Sequence, residues 1–332
     1  DILTILQEKN YSKVFLLTET TVDDLWVKKS SDFWNQQDIS KVVIPAGEEH
    51  KKISSVEKVW EHLSQNGGDR KSLLINIGGG MLTDLGGFAA ATFKRGIDFV
   101  NVPTTLLSQV DASVGGKTGI NFSGLKNEIG AFREANAVII DNQFLFTLDK
   151  KNILSGFAEM IKHGLIFQSN HLENLKKFDF NLDNILPLIE ESVKIKSEFV
   201  ENDPTEQNIR KALNFGHTFG HAFESLALQQ NRAILHGYAV AYGMMCELLL
   251  SVENNFDRDK AMSLIIWLKE LYGEFELRKN DDKKMFDLMN HDKKNQNGKI
   301  NFTTLIDVGS VQINNYCPQE LITKVFKEYS SL

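Results

Sequence analysis

Leu73-Leu74-Ile75-Asn76-Ile77-Gly78-Gly79-Gly80 is an apolar run that ends in three glycines. Met81 to Phe93 then carries a helical pattern, with Asp84 in its first turn and Gly86-Gly87 inside it. A strand, a glycine turn and a helix N-terminus form the arrangement that cradles a pyrophosphate, because orphan N–H groups and the helix dipole both favour negative charge. The spacing is not G-x-G-x-x-G, so this segment alone can also be read as a tight β–α turn, the less favoured reading.

The surrounding text supports the α/β reading. Lys13 to Leu17, Val42 to Pro45, Phe99 to Val102 and Ala137 to Ile140 read as further buried strands, with amphipathic stretches such as Val56 to Leu63 between them. Strands alternating with helices predict a parallel sheet. From about Lys150 the strand signal nearly vanishes, and Ile153 to Phe167, Asn184 to Glu201, Arg210 to Leu228 and His236 to Glu253 read as long helices. A β pair, Ile300 to Asp307 and Ser310 to Asn314, is the exception, and a last helix is expected from Pro318, where proline suits the first turn. The predicted organisation is an N-terminal Rossmann-like α/β domain over residues 1–149 and a mostly helical domain over 150–332. The site is expected in the cleft between them.

Bulk properties exclude several function classes. The 332 residues carry a net charge of −7, which disfavours non-specific nucleic-acid binding. No apolar run reaches membrane-spanning length; the stretch around Ala239 to Leu250 is interrupted by Tyr242, Gly243 and Glu247. Cys246 and Cys317 cannot make a disulfide framework, which points to a reduced, cytoplasmic setting. No secretory apolar segment opens the chain, and its start at Asp1 rather than methionine suggests that residues precede it.

A second motif, Asp111-Ala112-Ser113-Val114-Gly115-Gly116-Lys117-Thr118-Gly119-Ile120-Asn121, packs a carboxylate, a cation, hydroxyls and glycines into one short stretch. Glycine lets backbone approach a ligand closely, and a lysine beside exposed N–H groups is an anion site. It follows Val102-Pro103-Thr104-Thr105-Leu106-Leu107, which reads as the end of a strand turning into a helix. Arg95, Lys126, Lys162, Lys196, Arg210 and Lys293-Lys294 are further cations near motifs. In an acidic protein such a cluster implies a small anionic substrate. Asn127 offers an amide to the same anion. Gly47-Glu48-Glu49-His50-Lys51 reads alone as a charged helix start within reach of an adenosine ribose.

The third motif is a metal cluster. Glu159, Lys162 and His163 sit at i, i+3 and i+4, on one helix face. Arg210, Asn214, His217 and His221 fall at i, i+4, i+7 and i+11, the stripe a helix normally gives to its apolar contact. A helix carrying polar groups there lines a wet cavity. A glutamate with two histidines is a catalytic zinc set that leaves a position open for substrate. Spacing does not choose among His163, His217, His221 and His236 for the two histidine places.

With these motifs in hand, the chain resembles the 3-dehydroquinate synthases, within the wider sugar-phosphate cyclases, over nearly its whole length. The resemblance is carried by Gly78-Gly79-Gly80 with Asp84, Phe93-Lys94-Arg95-Gly96, Pro103-Thr104-Thr105, Asp111 to Asn121, and Lys126-Asn127 with Gly130. It continues through Gly156-Phe157-Ala158-Glu159 with Lys162-His163-Gly164, then Asn214-Phe215-Gly216-His217-Thr218-Phe219-Gly220-His221, His236-Gly237 and Asp292-Lys293-Lys294.

That resemblance implies a divalent metal, zinc or alternatively cobalt, on Glu159, His217 and His236. It implies NAD contacts from Glu48, Lys51, Gly79, Gly80, Met81, Asp84, Thr104 and Thr105, with Lys117 and Lys126 beside them. It places Asp111, Lys117, Asn127, Lys162, Lys196, Arg210, Asn214 and His221 around the substrate. Arg95 is implied to reach the site of a second subunit, hence a homodimer, and Lys293 or Lys294 to close over the phosphate.

The implied reaction converts 3-deoxy-D-arabino-heptulosonate 7-phosphate to 3-dehydroquinate and phosphate, on the shikimate route to aromatic amino acids. Transient NAD oxidation at C5 acidifies the C6 proton and phosphate leaves. Reduction, ring opening and an intramolecular aldol step follow, with no net redox. In this scheme Lys117, Asn127, Arg95 and Lys293 or Lys294 serve the phosphate, Lys196 and Arg210 the carboxylate, and His221 proton traffic.

Three departures stand out, one of them Met81, which occupies a place where a smaller β-branched residue is usual and reads as packing. His236-Gly237-Tyr238 has tyrosine where members commonly have glutamate, which removes a carboxylate near the metal and bears on metal tuning or substrate choice. Thr18-Glu19-Thr20 lacks the aspartate that some members give to the ribose. The competing readings are a cyclase of sedoheptulose 7-phosphate or glucose 6-phosphate, a metal-dependent polyol dehydrogenase, and a non-catalytic binding relative.

Overall fold

The glycine-ended run becomes the middle strand of a five-stranded parallel sheet. The computed structural model describes residues 2–123, 125–168, 170–290 and 300–332. The described chain divides into two compact units. The first comprises residues 1–149 with 182–186, and the second 150–181 with 187–332.

In the first unit the strands are β1 (Val14–Glu19), β2 (Ser40–Ile44), β3 (Leu73–Gly78), β4 (Asp98–Pro103) and the two-residue β7 (Ala137–Val138). Short helices α1 (Ile2–Glu8), α2 (Thr20–Val22) and α3 (Ser31–Gln36) precede α4 (Ile53–Gln65) and α5 (Gly80–Thr92). Every residue of β3 is buried, as a strand covered on both faces requires. Side chains alternate faces. Phe15 and Leu17 join one core with Val56, Val59 and Leu85, whereas Leu16 joins another with Ile75, Val100 and Trp34. Burying such side chains contributes roughly 1.5–3 kcal/mol each.

The order reverses between β1 and β3, because β1 leads outward to β2 and β3 leads outward to β4. In open α/β sheets a crevice opens at that reversal, beyond the carboxyl ends of the strands. Gly78, Gly79 and Gly80 lie there.

The sequence pattern missed two strands, β5 (Lys117–Phe122) and β6 (Leu125–Phe132), which form an antiparallel hairpin. Almost all of β6 is exposed, so it has no inside-outside alternation to read.

The second unit is mostly helical. It contains α6 (Lys150–Ile166), α7 (His171–Lys176), α8 (Leu186–Asn202, with Leu186 in the first unit), α9 (His217–Gln229), α10 (His236–Val252), α11 (Arg258–Tyr272) and α12 (Asp281–Asn290). The antiparallel pair β8 (Asn301–Asp307) and β9 (Ser310–Tyr316) and helix α13 (Gln319–Tyr329) complete it. Pro318 is the N-cap of α13 rather than its first residue. Helices α11 and α12 were not anticipated.

The expected single helix from Arg210 to Leu228 is two elements. A 3₁₀ helix, Ile209–Asn214, ends at Phe215, and Gly216 at φ 82° starts α9. Only glycine takes that left-handed value without strain. The Glu247 carboxylate, fully buried on α10, accepts the Gly216 N–H at 2.7 Å and the Thr218 N–H at 3.2 Å. It thereby satisfies donors that a helix start leaves open. The α9 core is aromatic: Phe219 meets Phe302 and Phe326 at ring separations of 5.1 and 5.4 Å, and Phe223 meets Tyr242 and Phe275 at 5.7 and 5.5 Å.

His171, 1% exposed, shares a 2.7 Å hydrogen bond with Ser192, and burial pushes its imidazole down to about 4. The unfolded chain protonates this side chain near 6.5 and so binds the extra proton between pH 6.5 and 4. Stability therefore falls as pH drops through that window, by about 3 kcal/mol at most. His171→Gln is expected to flatten that part of the acid limb in urea unfolding measured from pH 7 to pH 4. A variant with the wild-type slope would assign acid sensitivity elsewhere.

Candidate functional site

In the first unit the sheet brings together residues that are far apart in sequence. Gly78 pairs with Pro103, and the Thr104 N–H donates to the Gly78 carbonyl at 3.0 Å, so the glycine turn lies beside Thr104-Thr105. Gly79 is the N-cap of α5 and Gly80 its first residue. Asp84 is fifth in α5, one residue further in than expected and just past the first turn.

Lys51, 3% exposed, reaches Asp84 at 2.5 Å and the Asn127 amide oxygen at 2.5 Å. Burial pushes the Asp84 carboxyl up, against Lys51 and with Glu48 and Asp111 adding to the rise. Glu48 lies in the single turn Glu48–His50, so that segment begins no long helix. Asp111 sits in a one-turn π-helix, Ser108–Ala112, a rare conformation that recurs at functional sites. Asp84, Lys117, Asn127, Gly130 and Phe132 line a cavity of about 290 Å³, near the lower end for small-ligand sites.

Other expected residues have different surroundings. The Met81 side chain packs against the apolar core. Lys126 is exposed on β6, and Arg95 is exposed at a left-handed φ of 70° next to Lys94 at 51°. Glu19 is occupied in capping α2, where it accepts the Thr21 and Val22 N–H groups at 2.7 and 2.8 Å. Lys293 and Lys294 lie outside the described residues.

In the second unit α6, α9 and α10 converge. Glu159, fully buried on α6, faces His217 Nε2 at 3.5 Å and His236 Nε2 at 3.6 Å through the same carboxylate oxygen. One ligand atom from each of the three falls within 4.8 Å of the others. A tetrahedral ion with bonds of roughly 2.0–2.1 Å holds its ligands about 3.4 Å apart, so this spacing fits one divalent ion.

The outer nitrogens are also engaged. His217 Nδ1 lies 3.2 Å from the Phe215 carbonyl, and His236 Nδ1 lies 3.5 Å from Glu224. Such partners turn Nε2 toward a metal. Burial disfavours a charged His236, yet Glu159 and Glu224 outweigh it and push the imidazole up to about 10.

His221 lies beside the trio, its ring 5.4 Å from that of His217 and 6.2 Å from that of His236. His163 is fully buried on α6 and is not one of the three. Lys162 contacts Glu159 directly.

Arg210 and Lys196 are 2% and 7% exposed, a burial that is unusual for cations. Asp203 accepts the Arg210 N–H, and Arg210 Nη1 donates to the Pro204 carbonyl at 2.7 Å. The Asn214 amide donates to Glu206 at 2.9 Å.

Sequence reading missed Glu224 and Glu247. Glu224 was within reach, because it extends the His217 stripe by seven residues. Glu247 registered only as an interruption of an apolar helix. Tyr238 supplies no carboxylate and stacks edge-on against Tyr272 at 5.3 Å, while Glu224 provides one at His236.

Comparison with known proteins bears on these sites. Residues 41–155 match the family model described as 3-dehydroquinate synthase N-terminal, and residues 156–295 match 3-dehydroquinate synthase C-terminal. The chain is 47% identical over 328 residues to a 3-dehydroquinate synthase of Parabacteroides distasonis, covering 98% of this chain and 93% of that relative.

Among solved structures it superposes on a 2-deoxy-scyllo-inosose synthase complexed with carbaglucose-6-phosphate, NAD+ and Co2+, with TM-score 0.84, 24% identity and coverage of 96% and 91%. It also superposes on the 2-epi-5-epi-valiolone synthase of Streptomyces hygroscopicus subsp. jinggangensis with NAD+ and Zn2+ bound, with TM-score 0.84, 23% identity and coverage of 98% and 93%. At those identities the structural likeness bears on the fold.

Proposed function

Since the chain belongs to the 3-dehydroquinate synthase family, we propose that it converts 3-deoxy-D-arabino-heptulosonate 7-phosphate to 3-dehydroquinate and phosphate with NAD and one divalent metal. The observation that carries this is the trio of Glu159, His217 and His236, whose nitrogen-to-oxygen separations of 3.5 and 3.6 Å suit one ion. Zinc fits a buried carboxylate with two imidazoles, and cobalt fits the same donors.

When bound, NAD supplies reversible hydride transfer and the metal supplies Lewis acidity toward substrate oxygens. The residues do the rest. The α5 N-terminus at Gly79 and Gly80, with Thr104 and Thr105 beside it, suits the dinucleotide pyrophosphate. Asp84 is held by Lys51, whose ammonium also fixes the Asn127 amide.

Lys117 and Asn127 share a cavity and serve the substrate phosphate. Lys196 and Arg210, both buried cations, meet its carboxylate. Lys162 neutralises Glu159 charge at the metal site. His221, adjacent to the trio, carries protons at the reacting oxygens, a role its imidazole suits because it offers both a donor and an acceptor nitrogen. Arg95, on its exposed left-handed turn, is assigned to a second subunit's site, which makes the active form a homodimer. Cys246, buried and outside any disulfide, fits a reduced cytoplasmic setting.

The test is phosphate release from that substrate with catalytic NAD, before and after chelation and zinc restoration. Release that requires both, with dehydroquinate formed and no net NADH, is expected. No release from this substrate, with turnover of a carboxylate-free sugar phosphate, would replace the reading and make Tyr238 the first residue to change. Net NADH from a simple polyol would make it a dehydrogenase.

A further inference from the structure

Asn121 stands at a junction of three segments. The pairing of β5 with β6 shifts register between Ile120 and Phe122, so Asn121 lies at the irregularity. Bulges release a residue from the ladder and re-aim it, often beside active sites. The Asn121 N–H donates to the Lys51 carbonyl at 2.8 Å. Its side-chain amide nitrogen donates to the Glu48 carboxylate at 2.9 Å. Its amide oxygen accepts the Asn127 N–H at 2.9 Å.

Asn127 holds a left-handed φ of 50°, a region asparagine enters more readily than most residues, with its N–H held by Asn121. The Asn127 side chain returns to Lys51 at 2.5 Å. A closed loop of hydrogen bonds therefore runs from the Glu48–Lys51 turn through Asn121 to Asn127 and back to Lys51. Both ends of the Asn121 amide are used. Aspartate keeps the acceptor and loses the donor, and alanine loses both.

We propose that Asn121 is a positioning residue that couples the cofactor turn to the substrate amide, so that a dinucleotide on Glu48 and Lys51 orders Asn127 for the phosphate end of the substrate. This rests on the assignment of Glu48 and Lys51 to NAD and of Asn127 to substrate. Asn121 touches neither ligand; it acts through the residues that do. By linkage, each ligand then tightens the other by the same factor.

The experiment measures NAD affinity of the full-length, metal-loaded protein by calorimetry, alone and with a saturating phosphonate analogue of the substrate. Its methylene replaces the ester oxygen and blocks phosphate loss. Wild type is expected to bind NAD at least about fivefold tighter with the analogue present, a coupling at the lower end of ordinary allosteric linkage. Asn121→Ala is expected to bring that ratio close to one while NAD and analogue each still bind alone. Asn121→Asp, which keeps the Asn127 contact but sets a second carboxylate against Glu48, is expected to lose the coupling as well and serves if the alanine variant does not fold.

A merely structural role would lower both affinities and leave the ratio unchanged. Wild-type coupling retained in both variants, or absent from wild type, overturns the proposal. Glu48→Ala and Asn127→Ala test the underlying assignment separately. If neither alters its own ligand's affinity, that assignment fails rather than the coupling alone.

Discussion

Replacing His217 with alanine is expected to abolish tight divalent-metal binding while leaving the second unit folded. His217 is the first residue of α9, and its Nε2 lies 3.5 Å from the Glu159 oxygen that also faces His236. Its loss leaves two donors where the proposed site has three. Deleting an outer partner of a metal ligand already costs 10–100-fold in affinity, so deleting the ligand itself should cost more than about 100-fold. Little of the fold depends on the imidazole, because α9 is anchored by its phenylalanines and by Glu247. Elemental analysis after dialysis is the measurement, with His221→Ala as comparator. That variant should retain the metal and lose turnover, because His221 lies beside the trio. Full occupancy in His217→Ala would remove it from the ligand set.

The second large effect is expected from a single methyl group. Gly237 follows His236 in the first turn of α10, and its N–H donates to the Ser155 hydroxyl at 3.1 Å. A Cβ at position 237 would sit 1.9 Å from the Ser155 carbonyl oxygen and 2.5 Å from the Ser155 Cα. These are backbone atoms of α6, and no side-chain rotation relieves the clash. Gly237→Ala must therefore push α6 and α10 apart.

Overpacking of this kind costs about 1–3 kcal/mol and occasionally more, and a backbone clash belongs at or above the top of that range. Ser155 lies one turn before Glu159 on α6, so the displacement also separates Glu159 from His236. The variant should lose stability in denaturant unfolding and lose metal affinity together, whereas His217→Ala loses metal affinity alone. Wild-type stability would show that the two helices do not pack this closely.

Legibility followed locality. β1, β3 and β4 were readable because buried parallel strands are continuous apolar runs, and the glycine turn marked the end of β3. The hairpin of β5 and β6 was not, since its glycines and exposed side chains carry no alternation. The stripe Arg210, Asn214, His217 and His221 fits a helix in spacing, yet the chain breaks at Gly216. That break is held by Glu247, some thirty residues later, whose carboxylate replaces helical hydrogen bonds. Spacing cannot report a partner that distant. Met81 reads as packing from its departure and as an NAD contact from the resemblance; its side chain packs against the apolar core.

The amino-acid sequence by itself determined the division between a strand-rich first part and a helical second part. It also determined the inventory of glycines, cations, histidines and carboxylates, because periodicity and composition are properties of neighbouring residues. Tertiary structure decided which histidines meet Glu159, why Glu224 and not residue 238 stands behind His236, and how Asn121 joins Glu48 to Asn127. Metal-ligand and hydrogen-bond geometry depends on separations of a few ångströms between atoms on different elements. Those separations arise only when the packed cores bring the elements together.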